Sequence, residues 1–433
     1  MSAERTRTIR VENLARIEGE GALHVRVKDG HLTDLSFRIF EPPRFFEALL
    51  RGRDFGDAPD ITSRICGICP VAYILGTSLA IEDAFGARAT EPIAALRRLA
   101  YCGEWVQSHA LHTHMLHAPD FLGYEDAFRM AADHPRIVDI ALQVKRTGNA
   151  IMEAVGGRAV HPVNTRVGGF YKAPAPATLD ALAVPLQQAL DATVEALEFF
   201  SHFEFPDFEE DYTFVALHHP GEYAIDRGRI VSNRGLDIAV GEFEDHFGEE
   251  HVAHSTALSG VMYGEPGPYL LGPLARYALN YEQLSPRAKA LAASAGLGAV
   301  VRNPYKSLLV RTVEVAYALE EALRIVRSYE PPDPPAIALD VRAGRGCGAT
   351  EAPRGLCYHR FELDDAGRIV SANIVPPTSQ NQKQIEHDLR AVVSANLAFD
   401  DDRLRARCEQ SIRNYDPCIS CATHFLRLTV ERA

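Results

Sequence analysis

The sequence lacks the features of a membrane-spanning or secreted protein. No apolar run reaches the ~18 residues that a transmembrane helix needs, and residues 1–10 have no apolar core of the kind found in secretory signals. There is also no internal repeat and no low-complexity stretch. We therefore expect a cytoplasmic protein without a membrane span.

Positive charge is scarce and is not clustered. The chain has 45 Lys and Arg against 58 Asp and Glu, a formal net charge of −13, and no block of like charges stands out. Because nucleic-acid-binding proteins usually carry a basic patch, this composition argues against nucleic acid as a partner. A hydrophobic fraction of 46% over 433 residues is typical of a globular protein with a large core.

Cysteine is too sparse for a disulfide framework, with eight residues in the whole chain. Four of them form two C-x-x-C pairs. The other four are predicted to be buried free thiols, namely Cys102, Cys347, Cys357 and Cys408. The sequence has no further cysteine cluster for iron–sulfur centres and no G-x-G-x-x-G motif for a dinucleotide. A reducing compartment fits this cysteine usage best.

The periodicity of apolar residues predicts an α+β fold that is mostly α. Residues 17–40 alternate as a β-hairpin, and residues 342–377 form a second β region. Residues 205–280 have no strong period and are predicted to be irregular with short strands. Residues 54–62 are predicted to be a loop. Helical spacing is found at 45–50, 71–85, 92–118 (stopped by Pro119), 136–155, 179–203, 304–327, 380–397 and 401–412.

These elements predict one domain over residues 1–433. A long-helix bundle over residues 91–330 would form its core. An N-terminal part, residues 1–90, and a C-terminal part, residues 331–433, would each carry a small antiparallel sheet and one cysteine pair.

The two C-x-x-C pairs lie near opposite ends of the chain, at Cys66/Cys69 and Cys418/Cys421. Together they offer four thiolates, which suit a soft transition metal. A structural zinc site is one alternative, but its two halves usually lie within roughly 15–20 residues, whereas Cys418 follows Cys66 by 352 positions. Unrelated redox or buried cysteines are the other alternative. Spacing alone does not name the metal.

At these residues the sequence resembles the large, catalytic subunit of nickel–iron hydrogenases. The resemblance covers almost the whole chain, and its motifs occur in the order found in that family. They are Arg16-Ile17-Glu18-Gly19, Arg64-Ile65-Cys66-Gly67-Ile68-Cys69, Glu351-Ala352-Pro353-Arg354-Gly355 and Asp416-Pro417-Cys418-Ile419-Ser420-Cys421-Ala422-Thr423-His424.

The resemblance implies a nickel ion held by the thiolates of Cys66, Cys69, Cys418 and Cys421. Cys69 and Cys421 would also bridge to an iron that carries carbon monoxide and cyanide ligands. Soft sulfur ligands suit both metals. The implied reaction is H2 ⇌ 2H⁺ + 2e⁻, with H2 as the substrate.

Three residues match positions that handle protons or polarise H2 in that family. Glu18 matches the proton-transfer glutamate, and Cys418 would be the first proton acceptor. Arg354 matches the arginine above the open metal site, where a guanidinium stays charged. Without the motifs, Glu18 would be interpreted as a salt bridge at a strand edge and Arg354 as part of a buried ion pair, perhaps with Asp416.

Two further sets are implied by the resemblance alone. Pro377 and Thr378 match the segment that hydrogen-bonds one cyanide. Glu47, the carbonyl of Ile374 and the side chain of His424 match the ligands of a magnesium ion, which is usually bound through oxygen atoms and waters. On its own, Glu47 would be only a favourable charge near a helix start.

Departures from the family pattern are informative. Tyr73 replaces a histidine found in many relatives, and its surroundings resemble the cytoplasmic, bidirectional branch linked to NAD(P), sometimes called sulfhydrogenases. Ser108 replaces an aspartate of membrane-bound relatives, so the contact that this aspartate makes to Arg354 is not predicted. Four nearby histidines are predicted to be packed polar groups rather than ligands, namely His109, His112, His114 and His117.

Partners follow from what the chain does not contain. The resemblance implies an iron–sulfur small subunit, a flavin- and NAD(P)-binding pair, and maturation factors that install the diatomic ligands. Alternatives are a hydrogenase linked to F420 or to a ferredoxin–heterodisulfide partner, a structural zinc protein, and a non-catalytic relative such as a complex I subunit. Cleavage after His424 would remove residues 425–433, and the sequence does not decide whether it occurs.

Overall fold

The computed structural model describes residues 6–264 and 267–424. Within them the helices are α1 (Phe46–Leu50), α2 (Ala58–Ser63), α3 (Pro70–Ala84), α4 (Glu91–Ala110), α5 (Ala118–Leu122), α6 (Ala127–Asp133), α7 (Pro135–Gly156), α8 (Pro176–Asp180), α9 (Ala183–Ser201), α10 (Phe243–His246), α11 (Pro273–Asn280), α12 (Pro286–Ser294), α13 (Ser307–Arg327), α14 (Pro377–Ala395), α15 (Asp401–Arg413) and α16 (Ile419–Ala422). The strands are β1 (Thr6–Val11), β2 (Gly21–Lys28), β3 (His31–Ile39), β4 (Thr165–Arg166), β5 (Gly169–Phe170), β6 (Val215–His218), β7 (Arg229–Ser232), β8 (Asp237–Ile238), β9 (Phe247–His251), β10 (Leu258–Met262), β11 (Gly344–Ala352), β12 (Gly355–Leu363) and β13 (Ile369–Val375).

The long helices α4, α7, α9 and α13 form the core of the molecule. α4 packs along α7 and α13, and α9 packs on α13 and α7. α13 is buried on nearly all sides, as its many valine, leucine and alanine residues predict. The predicted mostly α fold with a long-helix core is confirmed, and no helix in the described residues combines the length and apolarity needed to cross a bilayer.

Small antiparallel sheets lie near both termini, as predicted. β2 and β3 form the expected hairpin, in which Leu23 faces Phe37 and Val25 faces Leu35. β1 adds a third strand that the periodicity analysis missed. β11, β12 and β13 form the second sheet, in the order β11-β12-β13. A third sheet, β6-β7-β8, and the hairpins β4-β5 and β9-β10 lie between them.

Helix α3, which follows the first cysteine pair, lies directly on the second sheet. It packs against β11 and β12. The close approach requires glycine in β11, because a Cβ on Gly348 would lie 2.6 Å from the carbonyl oxygen of Gly76 and 2.8 Å from the backbone nitrogen of Ala80. The sheet from the C-terminal part thereby fixes the helix that carries the N-terminal cysteines.

Two predicted element boundaries are wrong. Residues 54–62, predicted to be a loop, form a 3-10 turn followed by α2. The Asp54 side chain caps the 3-10 turn by accepting from the Gly56 N–H, and Pro59 stands in the first turn of α2. The helix predicted to stop at Pro119 continues through a π-helical turn, Leu111–His117, into α5. Proline is tolerated there because it stands in the first turn of α5.

Candidate metal centre

The four paired cysteines meet at one buried point. The Sγ atoms of Cys66 and Cys418 are 3.5 Å apart, as are those of Cys69 and Cys421. The Sγ atoms of Cys418 and Cys421 are 2.8 Å apart. All four sulfur atoms lie within 4.8 Å of one another, and each side chain is at most 2% exposed. Two pairs separated by 352 positions therefore form one cluster of soft ligands.

The first pair occupies a tight turn at the start of α3. Cys69 is the N-cap residue and Pro70 begins the helix. The backbone N–H groups of Ile68 and Cys69 donate to Cys66 Sγ at 3.3 and 3.4 Å. Backbone donors at a helix start favour a thiolate, so the turn stabilises the ligand form of Cys66.

Two side chains of helix α4 form hydrogen bonds to this turn and to the start of α3. The buried Glu104 carboxylate accepts from the N–H groups of Val71 and Ala72, at 2.6 and 3.2 Å, and so satisfies the first free donors of α3. Gln107 Nε2 donates to the carbonyl oxygen of Ile68 at 2.5 Å. Burial raises the pKa of Glu104 well above its ordinary value. Neither residue was singled out from the sequence.

The second pair is joined to the N-terminal segment by a backbone bridge. Glu18 pairs in parallel with Cys418, and the N–H of Ile419 donates to the carbonyl oxygen of Glu18 at 3.0 Å. Gly19 next to this bridge has φ +85°, and a Cβ there would lie 2.5 Å from Cβ of Ile419. The glycine of the Arg-Ile-Glu-Gly motif is therefore required for the two chain segments to meet.

Glu18 contacts the cluster directly. Its Oε2 atom accepts from the Sγ of Cys418 at 3.1 Å and from the N–H of Ser420 at 2.9 Å. No cation pairs with Glu18 within 4.0 Å among residues 6–264 and 267–424, so the alternative interpretation as a salt bridge does not describe it. A carboxylate at hydrogen-bond distance from a thiol has the geometry needed to exchange a proton with it.

Arg354 lies beside the sulfur atoms and is anchored by Asp416. Its Nε donates to the carbonyl oxygen of Asp416 at 2.6 Å, and one terminal nitrogen lies 3.1 Å from Oδ1 of the same residue. Burial by itself would lower the pKa of Arg354, but the charges of Asp416, Cys418 and Cys69 raise it well above its ordinary value. The alternative of an ion pair with Asp416 is thus correct, and it coexists with proximity to the thiolates.

The donor set fits a pair of soft metal ions. Burial raises the pKa of Cys418 and of Cys421 in the protein without metal, whereas hydrogen bonds from neighbouring thiols lower the pKa of Cys66. Binding of a cation would release the protons of such thiols. The Nη1 atom of Arg354 is buried and has no hydrogen-bond partner among the described residues, so it is available to a group held by the cluster.

Pro377 and Thr378 begin α14 next to Cys418. The hydroxyl oxygen of Thr378 accepts from the N–H of Cys418 at 3.1 Å, and its own proton remains available for donation. Pro377 occupies the first turn of the helix, where its missing N–H costs nothing. The structure brings both residues to the second cysteine pair.

Glu47, Ile374 and His424 converge at a second point. Oε1 of Glu47 accepts from the N–H of Ile374 at 2.8 Å, and Nε2 of His424 lies 2.7 Å from the carbonyl oxygen of Ile374. Burial lowers the pKa of His424 to about 4, which keeps the ring neutral, the form in which histidine binds metals. The set offers one carboxylate, one carbonyl and one ring nitrogen, which suit a small divalent cation.

The departures noted in the sequence occupy buried positions. Tyr73 packs edge-on against His359, with ring centroids 5.9 Å apart, and its hydroxyl has no hydrogen-bond partner among the described residues. Ser108 does not contact Arg354, and its hydroxyl likewise has no partner in the part of the chain that the structure describes. Neither replacement reproduces a polar contact to the cluster.

The histidine run lies in the buried part of α4 and the π-helical turn. Nε2 of His109 is 3.1 Å from Glu314, and Nε2 of His112 is 2.7 Å from the carbonyl oxygen of Arg413. None of the four histidines belongs to a potential metal-binding group among the described residues. Of the scattered thiols, Cys102, Cys357 and Cys408 are buried as predicted, whereas Cys347 is half-buried. The question of cleavage after His424 concerns residues 425–433, which lie outside the described residues.

Comparison with known proteins agrees with the cluster. The family model described as nickel-dependent hydrogenase matches residues 44–136. Sulfhydrogenase 1 subunit alpha of Pyrococcus furiosus is 32% identical over 97% of this chain and 98% of its own length. The NAD-reducing hydrogenase HoxS subunit beta of Cupriavidus necator is 26% identical over 97% of this chain and 95% of its own length.

The fold agrees as well. A crystal structure of an NAD⁺-reducing [NiFe]-hydrogenase in the H2-reduced state matches 96% of this chain and 99% of its own, with a TM-score of 0.87 and 26% identity. A [NiFeSe]-hydrogenase of Dm. baculatum has the same fold at 22% identity, with a TM-score of 0.78. The match in sequence and in fold thus extends over nearly the whole chain.

Proposed function

The chain belongs to the nickel-dependent hydrogenase family as a large, catalytic subunit, an oxidoreductase acting on hydrogen, and we propose a specific role for each residue of its site. The thiolates of Cys66, Cys69, Cys418 and Cys421 would hold nickel, with Cys69 and Cys421 bridging to iron. The observation that carries this proposal is the burial of four sulfur atoms within 4.8 Å of one another.

Nickel and iron, when bound, supply the cleavage of H2 and take up its electrons in the reaction H2 ⇌ 2H⁺ + 2e⁻. The chain itself handles the proton. Cys418 holds it on Sγ and passes it to Oε2 of Glu18, 3.1 Å away. The N–H of Ser420, which donates to the same oxygen, keeps the carboxylate in place for this transfer.

Arg354 supplies a fixed positive charge next to the sulfur atoms. Both the side chain and the backbone of Asp416 bind it, so its position is set before any substrate arrives. A preorganised charge in a buried site acts more strongly than one in water. Arg354 would polarise H2 in the open site beside the thiolates.

The iron would carry carbon monoxide and cyanide. One cyanide would accept a hydrogen bond from the hydroxyl of Thr378, next to Pro377. Magnesium would bind at Glu47, the Ile374 carbonyl and His424. It would tie β13 to the segment that follows Cys421. Maturation factors would install the diatomic ligands.

Electrons must leave through other subunits. In the described residues the only cysteine cluster is the one assigned to nickel. An iron–sulfur small subunit would accept the electrons, and a flavin- and NAD(P)-binding pair would pass them to or from NAD(P). The names of the relatives do not agree on one electron carrier, since one is a subunit of an NAD-reducing hydrogenase and several are subunits of F420-non-reducing hydrogenases. A cytoplasmic location remains the prediction.

The test is metal analysis and infrared spectroscopy on the complex purified with its natural partners. We expect nickel and iron in nearly equal amounts in this subunit, with bands of metal-bound carbon monoxide and cyanide. Zinc in place of nickel and iron, even after co-expression with maturation factors, would show that the cysteines are structural. Reduction of NAD⁺, of F420 or of ferredoxin by H2 in the same preparation would identify the carrier.

A further inference from the structure

Arg311 on α13 differs from every other deeply buried arginine that the structure describes. Six described arginines are at most 3% exposed. Five of them form an ion pair, namely Arg97 with Glu82, Arg98 with Glu321, Arg276 with Glu314, Arg354 with Asp416 and Arg413 with Asp120. Arg311, at 1% exposure, has no carboxylate within 4.0 Å among the described residues.

A buried guanidinium without an ion pair is costly and needs a compensating role. Burial lowers the pKa of Arg311 to about 10, and the negative charge that opposes this shift most is that of Asp416. Asp416 also forms the ion pair with Arg354, at 3.1 Å. It therefore lies in the field of two guanidinium groups, one bonded to it and one beyond contact distance.

Arg311 also binds the backbone that presents Asp416. Its Nη1 donates to the carbonyl oxygen of Asn414 at 2.9 Å and to the hydroxyl of Ser307 at 2.8 Å. Two residues later, Asp416 has φ 51°, a left-handed conformation that is unfavourable for a residue with a side chain. Such a conformation persists only where the surroundings hold it. Arg311 binds the turn at the carbonyl oxygen of Asn414, and Arg354 binds it at Asp416.

We propose that Arg311 is a positioning residue for hydrogen turnover. It holds the turn 414–416 and the charge of Asp416, and Asp416 in turn fixes Arg354 beside the thiolates. Arg311 does not touch the cluster, so its effect must pass through Asp416. This inference rests on the proposed function, because it assigns Arg311 to the site that would hold nickel and iron.

The test uses the complete hydrogenase complex with Arg311→Met and Arg311→Lys. Misplacement of a group beside the reacting atoms costs up to about 100-fold in rate, so we expect Arg311→Met to lower H2 turnover per nickel by roughly 10- to 100-fold. Arg311→Lys keeps the charge and one donor, so it should recover part of the loss. Nickel and iron content should stay at the wild-type level in both variants.

Arg324→Met is the matched control. Arg324 lies on the same helix, but its side chain is 62% exposed and pairs with Glu321. Its removal should leave turnover unchanged. Wild-type turnover in fully loaded Arg311→Met would overturn the inference. If the complex with Arg311→Met does not assemble, turnover in Arg311→Lys tests the inference. Loss of nickel from an assembled Arg311→Lys complex would show a structural role instead.

A double-variant cycle separates positioning from an independent effect. If Arg311 acts through Asp416, turnover in Arg311→Met combined with Asp416→Asn should be no lower than in Asp416→Asn alone. Multiplicative losses would refute the route through Asp416. Nickel and iron content of the wild-type complex distinguishes the two proposals, because a nickel-free wild type contradicts the proposed function before any variant is compared.

Discussion

The two cysteine pairs supply the same ligands but are held in different ways. Around Cys66 and Cys69 the contacts are architectural, with backbone N–H groups on sulfur and the Glu104 carboxylate on the start of α3. Around Cys418 and Cys421 an ionisable side chain contacts a sulfur atom directly, with Glu18 on Cys418, whereas the charge of Arg354 acts on cysteines of both pairs. Under the proposed function, the first pair would only bind the metals, whereas the second would also pass a proton to Glu18.

This difference follows from where each pair lies. The first pair begins a helix, so its surroundings are the regular backbone of α3 and the neighbouring α4. In the second pair, Cys418 is the N-cap residue of the four-residue helix α16, which contains Cys421. This short helix is reached by the N-terminal segment at Glu18 and by the β11–β12 turn at Arg354. Loops that converge from distant parts of the chain thus place reactive groups at the second pair, whereas regular helix backbone surrounds the first.

Replacing a ligand of the second pair should have the largest effect. Cys418→Ser removes the sulfur atom that binds both metal and proton, so we expect H2 turnover to be abolished while the helical core stays folded. Hydrogen uptake measures the turnover, and circular dichroism measures whether the helical core is folded. Cys347→Ser is the control, because Cys347 is half-buried and lies outside the cluster. Uptake retained in Cys418→Ser would count against its role as ligand and base.

Replacing the carboxylate next to that sulfur should have the second largest effect. Glu18→Gln keeps an oxygen for the N–H of Ser420 but cannot accept the proton of Cys418, so turnover per nickel should fall by about 100- to 10,000-fold, the range for general acid–base groups. Dye reduction by H2, normalised to nickel, measures it.

Glu386→Gln is the control for this variant, because Glu386 accepts a backbone N–H from Phe37 in the same way but lies outside the site. If Glu18→Gln kept wild-type turnover at full nickel content, the proton would have to leave by another group.

Replacing the buried arginine beside the cluster, Arg354, should have the third largest effect on H2 turnover. Arg354→Lys preserves the charge but loses the planar fork that bonds the backbone carbonyl oxygen and Oδ1 of Asp416, so we expect a fall in turnover of about 10- to 100-fold with nickel retained. Arg97→Lys, in the buried pair with Glu82, changes an arginine of equal burial and should affect stability alone. Equal losses of turnover in both variants would mean that Arg354 serves only the fold.

A change behind the first pair should have the smallest effect on catalysis. Gln107→Met removes the donor to the carbonyl of Ile68 at similar side-chain length, so the free energy of unfolding should fall by about 1 kcal/mol. Turnover per nickel should be unchanged. Chemical denaturation and nickel-normalised uptake measure these quantities. A loss of turnover as large as that of Glu18→Gln would erase the contrast between the two pairs.

Local patterns predicted the regular elements well and the short ones poorly. The hairpin β2–β3 and the long helices α7 and α9 have strong periods of two or 3.6 residues, which follow from backbone geometry, and α13 is apolar enough to be predicted as a buried helix. Helix α2 was mistaken for a loop because six residues are too few to show a period. The capped 3-10 turn that precedes α2 and Pro59 in its first turn favour the helix, whereas apolar spacing does not indicate it.

The sequence by itself determined which residues are proposed as ligands, because two C-x-x-C pairs and the motifs around Glu18 and Arg354 are local patterns that resemble those of one family. Only the tertiary structure decided what surrounds them. Gln107 and Arg311 are ordinary positions on long helices, and no spacing distinguishes them from core residues. Their contacts to Ile68 and Asn414 exist because helices distant in sequence pack around the cluster. Burial then makes each such polar contact obligatory, since an unpaired buried donor is costly.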